Sequence, residues 1–129
     1  MPVIYQIDLK QALIRTRCVG HVTLSEVIEH FRTLESDPDC PDLLDVLLDL
    51  REVLSLPQDA DLRAVSEEIA RLRPRVKFGA CAIVASSDAL FGTAKVFEVF
   101  AARGFRATTV VRGPSEAEGW LAAQRARPA

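Results

Sequence analysis

The chain predicts a single α/β domain over residues 1–129, built on a mostly parallel five-stranded sheet with an N-terminal antiparallel hairpin and helices packed on it. Two observations carry that prediction. At the N-terminus, two runs of alternating polarity are separated by Lys10 and Gln11 alone, too few residues for a crossover, so they pair as a hairpin. Beyond them, short apolar runs alternate with stretches at helical spacing, and strand-helix-strand alternation demands a parallel sheet joined by right-handed crossovers. The length fits one domain, and no linker, repeat or low-complexity segment divides it.

Taken in order, residues 3–9 place apolar side chains at odd positions, the mark of a half-buried strand. Residues 12–19 alternate again, with Ile14, Thr16 and Cys18 on one face and Arg15 and Arg17 on the other. The turn between them lacks an Asn-Gly signal, so its type stays open. Thr23-Leu24-Ser25-Glu26 matches a capping box, and Leu24, Val27, Ile28, Phe31 and Leu34 follow at helical spacing to about Glu35. The loop from Ser36 to Asp42 holds Pro38 and Pro41, which cannot continue the helix.

Val46 to Leu50 is an apolar run broken by one acid, as in a central strand covered on both faces. Asp59 or Asp61 caps a second helix with Leu62, Val65, Ile69 and Leu72 inside. Residues 80–85 form another buried strand, rich in small side chains. Ser87 or Asp88 caps a third helix to about Arg103, with Gly104 at its C-cap. Residues 107–111 are the last strand, and Pro114 opens a final helix with Trp120 and Leu121. The order is ββαβαβαβα.

Composition removes several function classes. Net charge is −2 with both signs interspersed, and aromatic residues total 6%, so nucleic-acid binding is disfavoured. The cysteines, Cys18, Cys40 and Cys81, form no CxxC or Cys/His cluster and read as reduced thiols. The start of the chain lacks the charged and apolar regions of a signal peptide. No stretch approaches the roughly 20 apolar residues of a transmembrane helix. These absences lead to a bacterial-type cytoplasmic protein as the expectation.

Gly20-His21-Val22-Thr23, the run from Leu47 to Val53, the run from Ala82 to Gly92, and Glu116-Ala117 with Trp120-Leu121 together resemble the SpoIIAA-like branch of the STAS superfamily. That resemblance covers nearly the whole chain and implies the fold of bacterial anti-sigma-factor antagonists. Antagonists of this type are phosphorylated at a serine in an Asp-Ser-Xaa-Gly turn. Here the matching stretch reads Val53-Leu54-Ser55-Leu56-Pro57, and Ser55 has neither the preceding Asp nor the following Gly. The serine is therefore not carried over. The branch is also similar to lipid-binding SEC14-type domains, which keeps a carrier of a small apolar ligand open by analogy.

Open α/β sheets bind ligands at the carboxyl ends of their parallel strands. Asp49, Arg51 and Glu52 follow one such strand, and Ser86, Ser87 and Asp88 follow the next at a helix start. These residues could frame a small anionic group, or serve structure alone as a helix cap and an ion pair. On the third helix, Leu90, Ala94, Phe97 and Ala101 form the stripe expected to pack on the sheet. Phe91, Val96, Val99 and Phe100 widen it beyond the usual arc of about 100°. That excess needs cover from a neighbouring helix, a ligand or a second subunit.

Other features read as structural. Arg71, Arg73, Arg75 and Lys77 suit a solvated face near a helix C-terminus. Asp37, Asp39, Asp42 and Asp45 lack the Gly and Glu of a calcium loop, and are read as turn chemistry. His30 is expected to be exposed, about one turn past Glu26. His21 has no assigned nucleophile. No zinc motif, GxSxG elbow or phosphate-binding glycine loop occurs. The reading is a non-catalytic interaction module acting through a protein partner or homodimer, or alternatively a ligand carrier, with no catalytic residues, metal or cofactor.

Overall fold

Alternating polarity makes the expected hairpin: β1 (Val3–Asp8) runs antiparallel to β2 (Leu13–His21). The structure is a computed structural model describing residues 3–37, 44–55, 63, 67, 71, 78–101 and 105–126. Asp8 shapes the turn by accepting from the backbone N–H groups of Lys10 and Gln11 at 3.1 and 3.2 Å. Ala12 closes it at φ 52°, a left-handed conformation that crowds a Cβ. Its carbonyl accepts from the N–H of Asp45 at 3.0 Å and from the Arg125 guanidinium at 2.9 Å, and these bonds hold the strained residue in place.

The capping box forms as spaced. Thr23 Oγ1 accepts from the Glu26 N–H at 3.3 Å, and the Glu26 carboxylate accepts from the Thr23 N–H at 2.9 Å, opening α1 (Leu24–Ser36). Then follow β3 (Leu44–Ser55), β4 (Phe78–Val84), α2 (Asp88–Ala101), β5 (Ala107–Val111) and α3 (Pro114–Ala126). The sheet order is β1-β2-β3-β4-β5, with β2 through β5 parallel. Between β3 and β4, Arg63, Glu67 and Arg71 are helical and exposed, the outward positions of the expected second helix. Its predicted inner residues Leu62, Val65, Ile69 and Leu72 lie outside the described residues, as do Asp39, Cys40, Asp42, Arg73, Arg75 and Lys77.

β3 runs well past the apolar segment 46–50. Its pairing with β4 ends at Asp49 and Val84, but Glu52, Val53 and Ser55 continue against Val19, Gly20 and His21 of β2. Backbone pairing with one neighbour, not burial, extends the strand. Asp45 is likewise strand and not turn, and it is 3% exposed. Its Oδ1 accepts from the Ala80 N–H at 2.8 Å and its Oδ2 pairs with Arg125 Nε at 2.9 Å. A buried carboxylate needs such partners, because desolvation without them is costly.

Strand alternation divides the core into two layers. Ile14, Cys18, Val46, Leu50, Cys81 and Ile83 pack on one face with Leu34 of α1 and with Leu90, Phe91 and Ala94 of α2. Leu13, Leu47, Ala80, Ala82 and Val84 pack on the other with Ala117, Trp120 and Leu121 of α3. Right-handed crossovers that always step the same way leave their helices on one face, and the helix after the last strand returns over the other. Arg15 and Arg17 stand on that second face, as the alternation required. Arg15 is tied to Glu118 of α3 at 2.8 Å.

Candidate functional site

Four strand ends meet along one edge of the sheet: β2 at His21, β3 at Ser55, β4 at Val84 and β5 at Val111. Asp49 and Arg51, expected to follow their strand, lie within β3 because it runs on along β2, with Asp49 beside the end of β4, and they grip each other. The Arg51 guanidinium donates through Nε to both carboxylate oxygens at 3.0 and 3.2 Å and through a terminal nitrogen at 2.8 Å, and its backbone N–H adds a further bond at 3.0 Å. Partial burial works to raise the Asp49 pKa. The hydrogen bonds and charge of Arg51, with Arg17 behind them, outweigh it and hold the carboxyl below its ordinary value. Glu52 is 3.9 Å from Arg17, so the charges on this strand end alternate and offset one another.

One strand over, Ser87 is the helix cap. Its Oγ accepts from the Leu90 N–H at 3.2 Å and its carbonyl from the Phe91 N–H at 2.8 Å. Asp88 pairs with Arg112 at 2.9 Å, and the same guanidinium donates to the Ser86 carbonyl at 3.2 Å. It also lies 4.1 Å from the centroid of the Phe91 ring, a cation-π contact. Arg112 was not among the residues expected here. Its signal was positional: it directly follows Val111, the register partner of Val84, so it must emerge beside Ser86. Among the described residues, no hydrogen bond or ion pair joins Asp49 or Arg51 to Ser86, Ser87 or Asp88.

His21 and Ser55, register partners at the ends of β2 and β3, meet with Nδ1 and Oγ 2.8 Å apart. Both side chains are exposed. Strand register brings to His21 a hydroxyl that the sequence left 34 positions away.

His30 differs from expectation. It is half-buried between α1 and the hairpin, 3.4 Å from Thr16 Oγ1 and 5.4 Å, ring to ring, from Tyr5. Its helical phase carries it toward the sheet rather than into solvent beside Glu26. Burial pushes its pKa down to about 4. Tyr5 in turn donates to Asp37 at 2.7 Å. The thiols of Cys18 and Cys81 are buried, and burial pushes Cys18 up to about 12 and Cys81 higher still, which makes both poor nucleophiles.

Along α2, Ala94 is buried and Leu90 and Phe91 are half-buried, whereas Val99 is 71% exposed. Ala89, Gly92 and Lys95 share the outward exposure of Val99. The side chains of Val96, Phe97 and Phe100 lie outside the described residues. At the opposite end of the sheet, an open groove of about 350 Å³ is lined by Gln11, Leu13, Asp45, Glu118, Leu121, Ala122 and Arg125. The charges there are matched, Arg125 by Asp45 and Glu118 by Arg15. Among the described residues, no cluster of three His, Cys, Asp or Glu could hold a metal ion, and no helix is long and apolar enough to cross a membrane.

No family model matches the chain, and no curated protein matches it. Among solved structures, it is similar to an uncharacterized protein of the DUF3478 family with a SpoIIAA-like fold from Shewanella loihica PV-4. That likeness has a TM-score of 0.60 and 16% identity, and it covers 92% of this chain and 91% of the other. At such identity the likeness concerns architecture alone: a five-stranded mixed sheet with the N-terminal hairpin antiparallel, carrying helices on its faces, which is the SpoIIAA-like fold.

Proposed function

We propose that this domain is a STAS-like interaction module whose docking face is the outward side of α2, engaged by a protein partner or by a second copy of the chain. The observation that carries the reading is Val99, a β-branched apolar residue 71% exposed on a helix that already packs Leu90, Phe91 and Ala94 inward. Ala89 and Gly92 on the same outward side are small enough to let another surface approach closely. The polar residues at the strand ends favour interaction over small-anion capture. Arg51 is spent on Asp49, Arg112 on Asp88, and the Ser87 hydroxyl on its own helix.

Native mass spectrometry and sedimentation of the gently purified chain, with Val99→Glu beside it, test the proposal. A dimer or a retained partner in the wild type that is lost in Val99→Glu is the expected result. A wild type that stays monomeric at every concentration and retains no protein would sink it.

A further inference from the structure

We infer that Ser55 is an acyl-acceptor hydroxyl whose proton is taken by His21, so that the end of β3 is a covalent modification site for activated acyl donors such as thioesters and aryl esters. The pair sits on the last residues of two neighbouring parallel strands, with His21 Nδ1 2.8 Å from Ser55 Oγ. Both side chains are exposed, so a donor meets the hydroxyl without rearrangement.

Backbone conformation sets the approach. The register of β2 on β3 shifts between Gly20 and His21. Gly20 stands at φ +74°, with nothing within 4 Å of where a Cβ would sit. Glycine is therefore favoured there for its left-handed backbone and not for space. Irregularities of this kind re-aim a side chain at a strand end, and here the side chain that follows is the histidine. The same end of β2 also holds the Ser55 backbone, since the Val22 N–H donates to the Ser55 carbonyl at 3.1 Å.

With the imidazole neutral and its proton on Nε2, Ser55 Oγ–H donates to Nδ1. Attack by Oγ forms the Oγ–C bond to the acyl carbon, and the bond from that carbon to the leaving oxygen or sulfur breaks. The hydroxyl proton passes to Nδ1 and from there to the departing phenolate or thiolate, leaving acyl-Ser55 and a free phenol or thiol. Among the described residues no carboxylate engages Nε2 of His21. The base thus has, among the described residues, no orienting third group of a full triad, and the step calls for a donor with a good leaving group.

The test treats the full chain with p-nitrophenyl acetate and locates acetyl groups by intact mass and peptide mapping, for the wild type, Ser55→Ala and His21→Ala. Acetyl on Ser55 ahead of every other hydroxyl, its absence in Ser55→Ala and an about 100-fold slower rate in His21→Ala are expected. If His21→Ala fails to fold, His21→Asn keeps a polar group at similar reach and removes the base. Ser55 labelling no faster than other serines, or a rate indifferent to His21, overturns the inference. Val99→Glu should label as the wild type does, so this site and the α2 face are tested separately.

Discussion

Burial holds the His30 imidazole neutral, with a pKa of about 4 against an ordinary value near 6.5, and that difference makes folding sensitive to acid. The folded state binds its proton less readily than the unfolded chain does. The stabilisation is therefore fully present above pH about 6.5, declines as pH falls, and is gone below about 4. The full difference is worth about 3 kcal/mol, of which about 2 kcal/mol should be lost between pH 7 and pH 5. Urea unfolding at those two pH values reads it, and His30→Gln should flatten the dependence over the same window. Asp45 makes a second test at this scale. Asp45→Ala strands the buried Ala80 N–H and removes the carboxylate that pairs with Arg125 Nε, and it should cost about 2–3 kcal/mol. An unchanged urea midpoint would mean that water or a rearranged side chain replaces the carboxylate. Neither role was legible in the sequence. The residue pattern showed a polar group on a helix and an acid near a turn, and the partners that bury them arrive from Tyr5, Thr16, Ala80 and Arg125, far away along the chain.

Elements whose cause is local were the most legible. The capping box at Thr23, Pro114 at a helix start and the hairpin forced by a short gap, which is Leu9 to Ala12 and not Lys10-Gln11 alone, each need only neighbours in sequence. Strand lengths were read less well. β3 extends to Ser55 because β2 continues to pair with it, and hydrogen bonds to another strand leave no mark in a hydrophobicity pattern. The small side chains of β4 find their reason in α3. Ala80 and Ala82 are fully buried beneath Ala117 and Leu121, so the helix lies close on the sheet. Ala82→Leu should overpack that layer and destabilise by about 1–3 kcal/mol, visible as a lowered Tm with far-UV circular dichroism retained. A Tm equal to that of the wild type would show that the α3 layer has room to spare.

At the scale of the whole molecule, the two faces of the sheet are not equivalent. Helices α1 and α2 share one face, α3 lies over the other, and the outward side of α2 is left with Val99 in solvent. Val99→Glu should leave the unfolding free energy within about 0.5 kcal/mol of the wild type, because the site is exposed. Its effect should appear in association alone. A large loss of stability would show instead that Val99 is packed and that the face is not a docking surface.

By itself the sequence determined the class of fold, the order of its elements and the antiparallel hairpin, because polarity period, caps and loop length act over a few neighbouring residues. It also placed Ser86, Ser87 and Asp88 just past the carboxyl end of a parallel strand, whereas Asp49 and Arg51, expected to follow their strand, lie inside β3, which runs on to Ser55. Only the tertiary structure decided what those residues do. Arg112 reaches Asp88 across 24 positions and His21 reaches Ser55 across 34. Which polar groups satisfy one another depends on strand register and on a backbone irregularity at Gly20, and these emerge when the chain closes on itself.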